Sequence, residues 1–182
     1  MKKWSIKGKI AIGLILILFC SFCLFYALPK RIYSKKYSTF VTRYSALYSI
    51  DENLIYAVIK AESNFDKNAK SNKGAIGLMQ IKNSTFLYLK ELLNDDTSSS
   101  LFDVETNIKY GTFYLKYLKE KFIFQKEMLV AYNAGEGNLI KWLNDENYSK
   151  NKMQIDYIPF KETREYVKKV DRYKKLYDKI YK

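Results

Sequence analysis

Apolar and polar positions follow two different patterns along this chain. The first is an unbroken apolar run, Ile10 to Leu28, with 19 residues and no charge. About 20 apolar residues cross a bilayer as one helix, so the run predicts a transmembrane span. The second pattern begins beyond a short basic connector and has helical spacing. Leu54, Val58 and Ala61 form one stripe, with Ile55, Ile59 and Glu62 beside it, and Asp51 is placed to cap that helix. Asn64–Gly77 reads as a loop, and Ser84 or Thr85 as the cap of a helix running through Leu93. Asn94–Ser100 is a loop by composition. Asp103 is the candidate cap of a helix striped by Ile108, Gly111, Leu115, Leu118 and Phe122. Met128–Ala134 ends at Gly135, Leu139–Leu143 adds one or two turns, and 144–154 is a polar loop. Tyr166, Val170, Tyr173, Tyr177 and Ile180 stripe a final helix. With two Pro and seven Gly in 182 residues, turns are sparse. The fold class expected is mainly α: one helical domain preceded by one transmembrane helix.

Charge refines this division. The formal net charge is +13, from 32 Lys and Arg against 19 Asp and Glu. Residues 1–36 carry +8, from Lys2, Lys3, Lys7, Lys9, Lys30, Arg31, Lys35 and Lys36 with no acid. Residues 160–182 carry +5, and 37–159 is neutral with 15 charges of each sign. A neutral middle and no reading motif argue against a nucleic-acid partner. The boundaries that follow are a cytoplasmic basic segment 1–9, an anchor 10–28, a connector 29–39 and a domain 40–182. The usual signal-peptide core is roughly 7–15 residues ending at a small-x-small site. This run is longer, and Phe25-Tyr26-Ala27 lacks the first small residue, so an uncleaved anchor is the preferred reading and a cleaved signal the alternative. Phe19 and Phe22 stand where a lipoprotein signal around Cys20 and Cys23 needs small residues. Both cysteines lie inside the run, which leaves the domain without a disulfide framework. About 145 residues beyond the anchor suffice for a full core. Lysines on both flanks leave the orientation open on charge alone.

The chain has no histidine. That excludes Ser-His and Cys-His nucleophile pairs and His-ligated metals, and turns attention to carboxylates. Glu62 is the oddest placed of them, at i+7 from Ile55 and i+4 from Val58 near the end of an apolar helix. A carboxyl group on a core-facing edge is desolvated, which raises its pKa and favours the protonated form. A general acid working near neutral pH needs that. The competing reading is a solvated helix end, with Glu62 paired to Lys60 or Lys67.

Glu62-Ser63-Asn64-Phe65 is followed by Gly74-Ala75-Ile76-Gly77-Leu78-Met79-Gln80, and then by Leu101-Phe102-Asp103 with Asn107-Ile108. Ala131-Tyr132-Asn133-Ala134-Gly135 and the stretch from Ile158 through Val167 come after. In this order and spacing the chain resembles the lytic transglycosylase family of lysozyme-like proteins, which includes the soluble lytic transglycosylase catalytic domain and goose-type lysozyme relatives. The resemblance covers about Tyr48 to Val170. It implies a lysozyme-like helical fold with a saccharide cleft and cleavage of the β-1,4 bond between N-acetylmuramic acid and N-acetylglucosamine. It implies Glu62 as the single catalytic carboxylate, first acid and then base, with a 1,6-anhydro product and neither cofactor nor metal. Substrate contacts are implied for Ser63, Gly77, Leu78, Met79, Gln80, Tyr132, Asn133 and Tyr166, with Gln80 offering an amide and Met79 packing against a sugar. Ser63 orients Glu62 or the substrate N-acetyl group in this reading, or is simply a polar helix end. Leu78 and Met79 otherwise read as core, Tyr132 and Asn133 as a helix end, and Tyr166 as one more tyrosine of its stripe. Glu162 is the weakest of the matches and is equally a structural residue.

Four family prolines are absent, with Glu52, Asn83, Val104 and Glu136 in their places. None is a catalytic position. Glu136 adds a carboxylate near the expected cleft rim. The partners expected are peptidoglycan strands and the membrane, with the domain on the extracytoplasmic side where peptidoglycan lies; partners in wall or secretion machinery stay unknown. A muramidase using water, and a glycan-binding or assembly protein without turnover, are the alternatives. The lysines of the last helix read as a solvated face, or as a contact with wall polymer or membrane.

Overall fold

A computed structural model describes residues 6–24 and 28–181. Lys2, Lys3 and the Phe25-Tyr26-Ala27 part of the apolar run lie outside them. Eleven elements are described: α1 (Ile6–Phe22), α2 (Leu28–Ile32), α3 (Ser38–Tyr48), α4 (Glu52–Glu62), β1 (Ala75–Ile76), β2 (Ile81–Lys82), α5 (Asn83–Leu92), α6 (Val104–Lys121), α7 (Gln125–Ala134), α8 (Glu136–Leu143) and α9 (Lys161–Ile180). Among the described residues no helix is long and apolar enough to cross a membrane. Helix α1 has 17 residues, about 25 Å at 1.5 Å per residue against roughly 30 Å of hydrocarbon core. Its Ile15, Ile17, Leu18 and Phe19 are nonetheless all exposed.

Helix α4 is the centre of the domain. Leu54 through Ala61 are all buried, Lys60 included. A helix apolar nearly all round must be enclosed. Here α3 covers one side and α9 another, while α6, α7 and α8 complete the core in sequence. Asp51 caps α4 by accepting from the Leu54 amide at 3.0 Å. Asp103 caps α6 in the same way, from Thr106 at 2.8 Å. Both caps agree with the sequence pattern, because capping is chemistry within one turn. Helix α5 departs from it. It starts at Asn83 with no side-chain cap, so Ser84 and Thr85 lie inside its first turn.

The loop expected over 64–77 contains a strand. Ala75–Ile76 pairs antiparallel with Ile81–Lys82 in the register Ala75 to Lys82 and Ile76 to Ile81. Two-residue strands are too short for any alternation to reveal. Gly77 opens their turn at φ 77° and Gln80 closes it at φ 50°. The connector is also partly helical, through α2.

Candidate active site

Helix α4 delivers Glu62 at its last turn to a cleft of about 320 Å³. Gln80 and Ile81 of the hairpin, Tyr132 and Asn133 at the end of α7, and Thr163 at the start of α9 border the same space. The cleft therefore forms where three helix ends meet a short hairpin.

Glu62 is half-buried. Burial pushes its carboxyl up to about 7, an upward shift that Tyr166 and Lys169 oppose and Glu162 reinforces. Lys169 donates to the Ala61 carbonyl at 2.6 Å, placing a cation at the negative end of α4. No ion pair joins Glu62 to Lys60 or Lys67 among the described residues. Lys60 instead donates to the Ile32 carbonyl at 2.9 Å and to Asn64 Oδ1 at 3.0 Å.

Two tyrosines back the carboxyl group. Tyr166 is buried and stacks on Tyr132, with ring centroids 6.5 Å apart and planes 5° off parallel. The Tyr166 hydroxyl favours the charged form of Glu62, yet it makes no hydrogen bond of standard geometry. Burial and the nearby Glu62 hold both phenols well above their ordinary pKa, so both stay neutral. Tyr132 donates to the Met79 carbonyl at 2.8 Å. Asn133 Oδ1 accepts from Thr163 Oγ1 at 2.8 Å, which leaves its Nδ2 without a protein acceptor among the described residues.

The remaining sequence candidates divide by what their side chains touch. Gln80 lines the cleft, but its Nε2 donates back to Gly77 at 2.9 Å and to Ala69 at 3.2 Å. Its Oε1 is the atom left to face outward. Ser63 Oγ donates to Leu78 at 2.8 Å and Ile59 at 3.2 Å. It ties helix to hairpin and does not orient Glu62 directly. Leu78 and Met79 are fully buried. Their side chains belong to the core rather than to the cleft surface the sequence reading gave them. Met79 packs on Gly111 so closely that a Cβ there would collide with its Sδ and, at 2.8 Å, its Cβ. Gly77 turns the backbone where any Cβ would meet the Leu101 carbonyl at 2.6 Å.

Asn107 was named in the sequence only as part of a motif, and it holds this wall in place. Its Oδ1 accepts from the Met79 amide at 2.7 Å, and its Nδ2 donates to Ile76 at 2.9 Å and Leu101 at 2.7 Å. A buried polar residue inside an apolar helical stripe was the available signal. Lys73, Tyr114 and Glu162 also reach the cleft. Lys73 and Glu162 pair at 2.7 Å with both side chains exposed, a contact worth about 0–1 kcal/mol. Glu136 turns away to Lys121 at 2.6 Å and Tyr117 at 3.1 Å. Burial first, and the Glu136 charge second, push the phenol of Tyr114, a cleft residue, up to about 12. Asp66 accepts from the Asn68 amide at 2.9 Å on an exposed loop.

Residues 40–155 match the transglycosylase SLT domain family. The chain is 30% identical over 174 residues to membrane-bound lytic murein transglycosylase C of Actinobacillus succinogenes, covering 82% of this chain and 49% of that protein. It is 36% identical over 149 residues to soluble lytic murein transglycosylase of Escherichia coli strain K12, covering 78% and 23%. The crystal structure of the 70-kDa soluble lytic transglycosylase from Escherichia coli superposes with a TM-score of 0.72 at 31% identity, over 83% of this chain and 25% of that one. An inactive Glu-to-Gln mutant of Slt from Pseudomonas aeruginosa superposes at 0.69, with 26% identity, 81% of this chain and 25% of that one. The chain thus spans about half the length of the first of these relatives and about a quarter of the others.

Proposed function

This chain belongs to the transglycosylase SLT domain family, and on that premise we propose that it is a peptidoglycan lytic transglycosylase with Glu62 as its single acid and base. The observation that carries the reading is a carboxyl group raised to about 7 by burial at the end of α4, inside a cleft. At that value Glu62 can hold a proton to give and, once charged, take one back.

Protonated Glu62 gives its proton to the glycosidic oxygen between N-acetylmuramic acid and N-acetylglucosamine. The bond from that oxygen to the anomeric carbon breaks, and the acetamido carbonyl oxygen of the muramic residue closes on the carbon. Glu62, now charged, takes the proton of the 6-hydroxyl. Oxygen 6 then attacks the anomeric carbon and displaces the acetamido oxygen. The product is a 1,6-anhydro sugar, no water is consumed, and Glu62 ends protonated as it began. A substrate group does the work of a second carboxylate in this scheme. Neutral Tyr166 favours the carboxylate form while Tyr132 holds the Met79 carbonyl, Asn133 Nδ2 and Gln80 Oε1 are the polar atoms offered to sugar groups, and Ser63, Gly77, Leu78 and Met79 set the wall. A relative described as inactive carries a Glu-to-Gln change, which fits a carboxyl-dependent reaction.

The same reading keeps the boundaries 1–9, 10–28, 29–39 and 40–182, with the apolar run as a single-pass anchor and the domain outside the membrane. The 19-residue uncharged run supports it, and so does the membrane-bound description of a relative. Mass spectrometry of muropeptides released from purified peptidoglycan tests the chemistry. Anhydro ends, one water lighter than hydrolysed ends, are expected. Hydrolysed ends would make it a muramidase, and no release would make it a binding protein.

A further inference from the structure

The connector that follows the apolar run is folded onto the domain. The Tyr33 amide donates to Pro29 at 2.8 Å. The Tyr33 ring sits edge-on to Tyr173 and Tyr177, with centroids 6.0 and 5.6 Å away, and its carbonyl accepts from Tyr181 Oη at 2.8 Å. Lys60 reaches out of α4 to the Ile32 carbonyl at 2.9 Å and lies over the rings of Tyr33 and Tyr173. Lys35 lies over Tyr56 and Tyr181 and stands 3.5 Å from Glu52. Cation–π contacts of this kind are strongest where water is excluded, and Tyr56 is fully buried.

This docking leaves a groove of about 760 Å³ between the N-terminal segment and the end of α9. Phe22, Leu28 and Ile32 give one apolar wall, Leu176 and Ile180 the other, and Lys30 and Lys179 stand among them. Among the described residues no acidic one lines it. Among the described residues neither Lys30 nor Lys179 has an ion pair, nor does Arg31 next to Lys30 or Lys175 one turn before Lys179. Earlier along α9, Lys174 pairs with Asp51 and Asp178, Lys168 with Glu165, and Lys169 donates to the Ala61 carbonyl. Two cations without an ion pair thus border an apolar groove.

We propose that this groove binds an anionic phospholipid, with the phosphate between Lys30 and Lys179 and an acyl chain along the apolar walls. The proposal rests on the anchor reading above, since the groove continues the apolar surface of α1. A floor of hydrocarbon with cations alone at its edge matches a lipid that is anionic at one end and apolar along its length. A protein partner would be met by charges of both signs, and a nucleic acid has no use for the apolar walls. The domain is then seated against the bilayer rather than hung from it.

The test uses the full chain in nanodiscs of phosphatidylcholine alone or mixed with phosphatidylglycerol. Release into detergent followed by native mass spectrometry reads which lipid stays bound, and hydrogen exchange reads residues 29–36 and 175–181. The expected result is preferential retention of phosphatidylglycerol with slower exchange in both segments. Lys30→Glu with Lys179→Glu should abolish the preference, and the milder Lys30→Gln with Lys179→Gln should weaken it. Both variants should leave muropeptide release from soluble substrate unchanged. Equal retention of the two lipids, or a preference untouched by both double variants, overturns the groove while leaving the anchor standing. A chain that leaves discs of both compositions overturns the anchor reading and the groove with it.

Discussion

Helix α9 uses tyrosine twice, in opposite surroundings. In its first half Tyr166 is buried beside a carboxyl group, stacked on Tyr132 at the cleft. In its second half and at its C-cap, Tyr173, Tyr177 and Tyr181 meet other rings, with the ammonium group of Lys60 over Tyr173 and that of Lys35 over Tyr181. The helical spacing is the same throughout, so spacing does not separate the two roles. The charge of the neighbour does. Beside Glu62 a phenol changes the titration of a group that can transfer protons. Beside a lysine a ring is packing material with a favourable quadrupole. An aromatic stripe therefore divides into site and scaffold only when the ionisable groups facing it are known.

The hardest test of that contrast is Glu62→Gln. It should lower muropeptide release by roughly 10²–10⁴-fold, the usual worth of a general acid or base, with the circular dichroism spectrum unchanged. Full activity in that variant would remove the chemical distinction between the two halves. Next is the pH dependence of stability. The folded Glu62 titrates near 7, above its ordinary 4.5. Between those values the folded protein keeps a proton that the unfolded chain has released, so stability falls as pH rises through the window and levels off above it. The span is on the order of 3 kcal/mol at full effect. Denaturant melts of wild type and Glu62→Gln from pH 4 to 8 should diverge in that direction, with the variant losing less. A third and smaller effect is Tyr166→Phe. It removes a group that lowers the Glu62 pKa, so the alkaline limb of the kcat/KM profile should move to higher pH. A limb that stays put would make Tyr166 another scaffold ring. Tyr177→Phe should do least, because its buried hydroxyl has no hydrogen-bond partner. Its unfolding free energy should stay within about 1 kcal/mol of wild type, with no change in the pH profile.

The sequence displays what is decided within a turn or two of chain. The Asp51 and Asp103 caps, the end of α7 at Gly135 and the desolvated position of Glu62 are all of this kind. What it hides is decided by residues far apart. The hairpin strands are two residues each, below the length at which alternation can be seen. Which way Leu78 and Met79 face depends on left-handed turns at Gly77 and Gln80, and both side chains went inward. Tyr114 enters the cleft from α6 and Lys73 from the hairpin side, and only packing brings them together. The clasp made by Lys35 of the connector and Lys60 of α4 leaves no periodic signature at all, because each joins residues far apart in the chain.

The bond from the Met79 amide to Asn107 Oδ1 also bears on the order in which the site forms. Most amides in this fold are shielded by a carbonyl of their own helix, so they are protected as soon as that helix exists. Met79 waits for a side chain carried 28 residues further on. The cleft wall therefore reaches its final shape only after α6 has formed and docked. It also means that one amide proton keeps time for the site. Its exchange with solvent reports how often the wall swings open, separately from any unravelling of the helices around it.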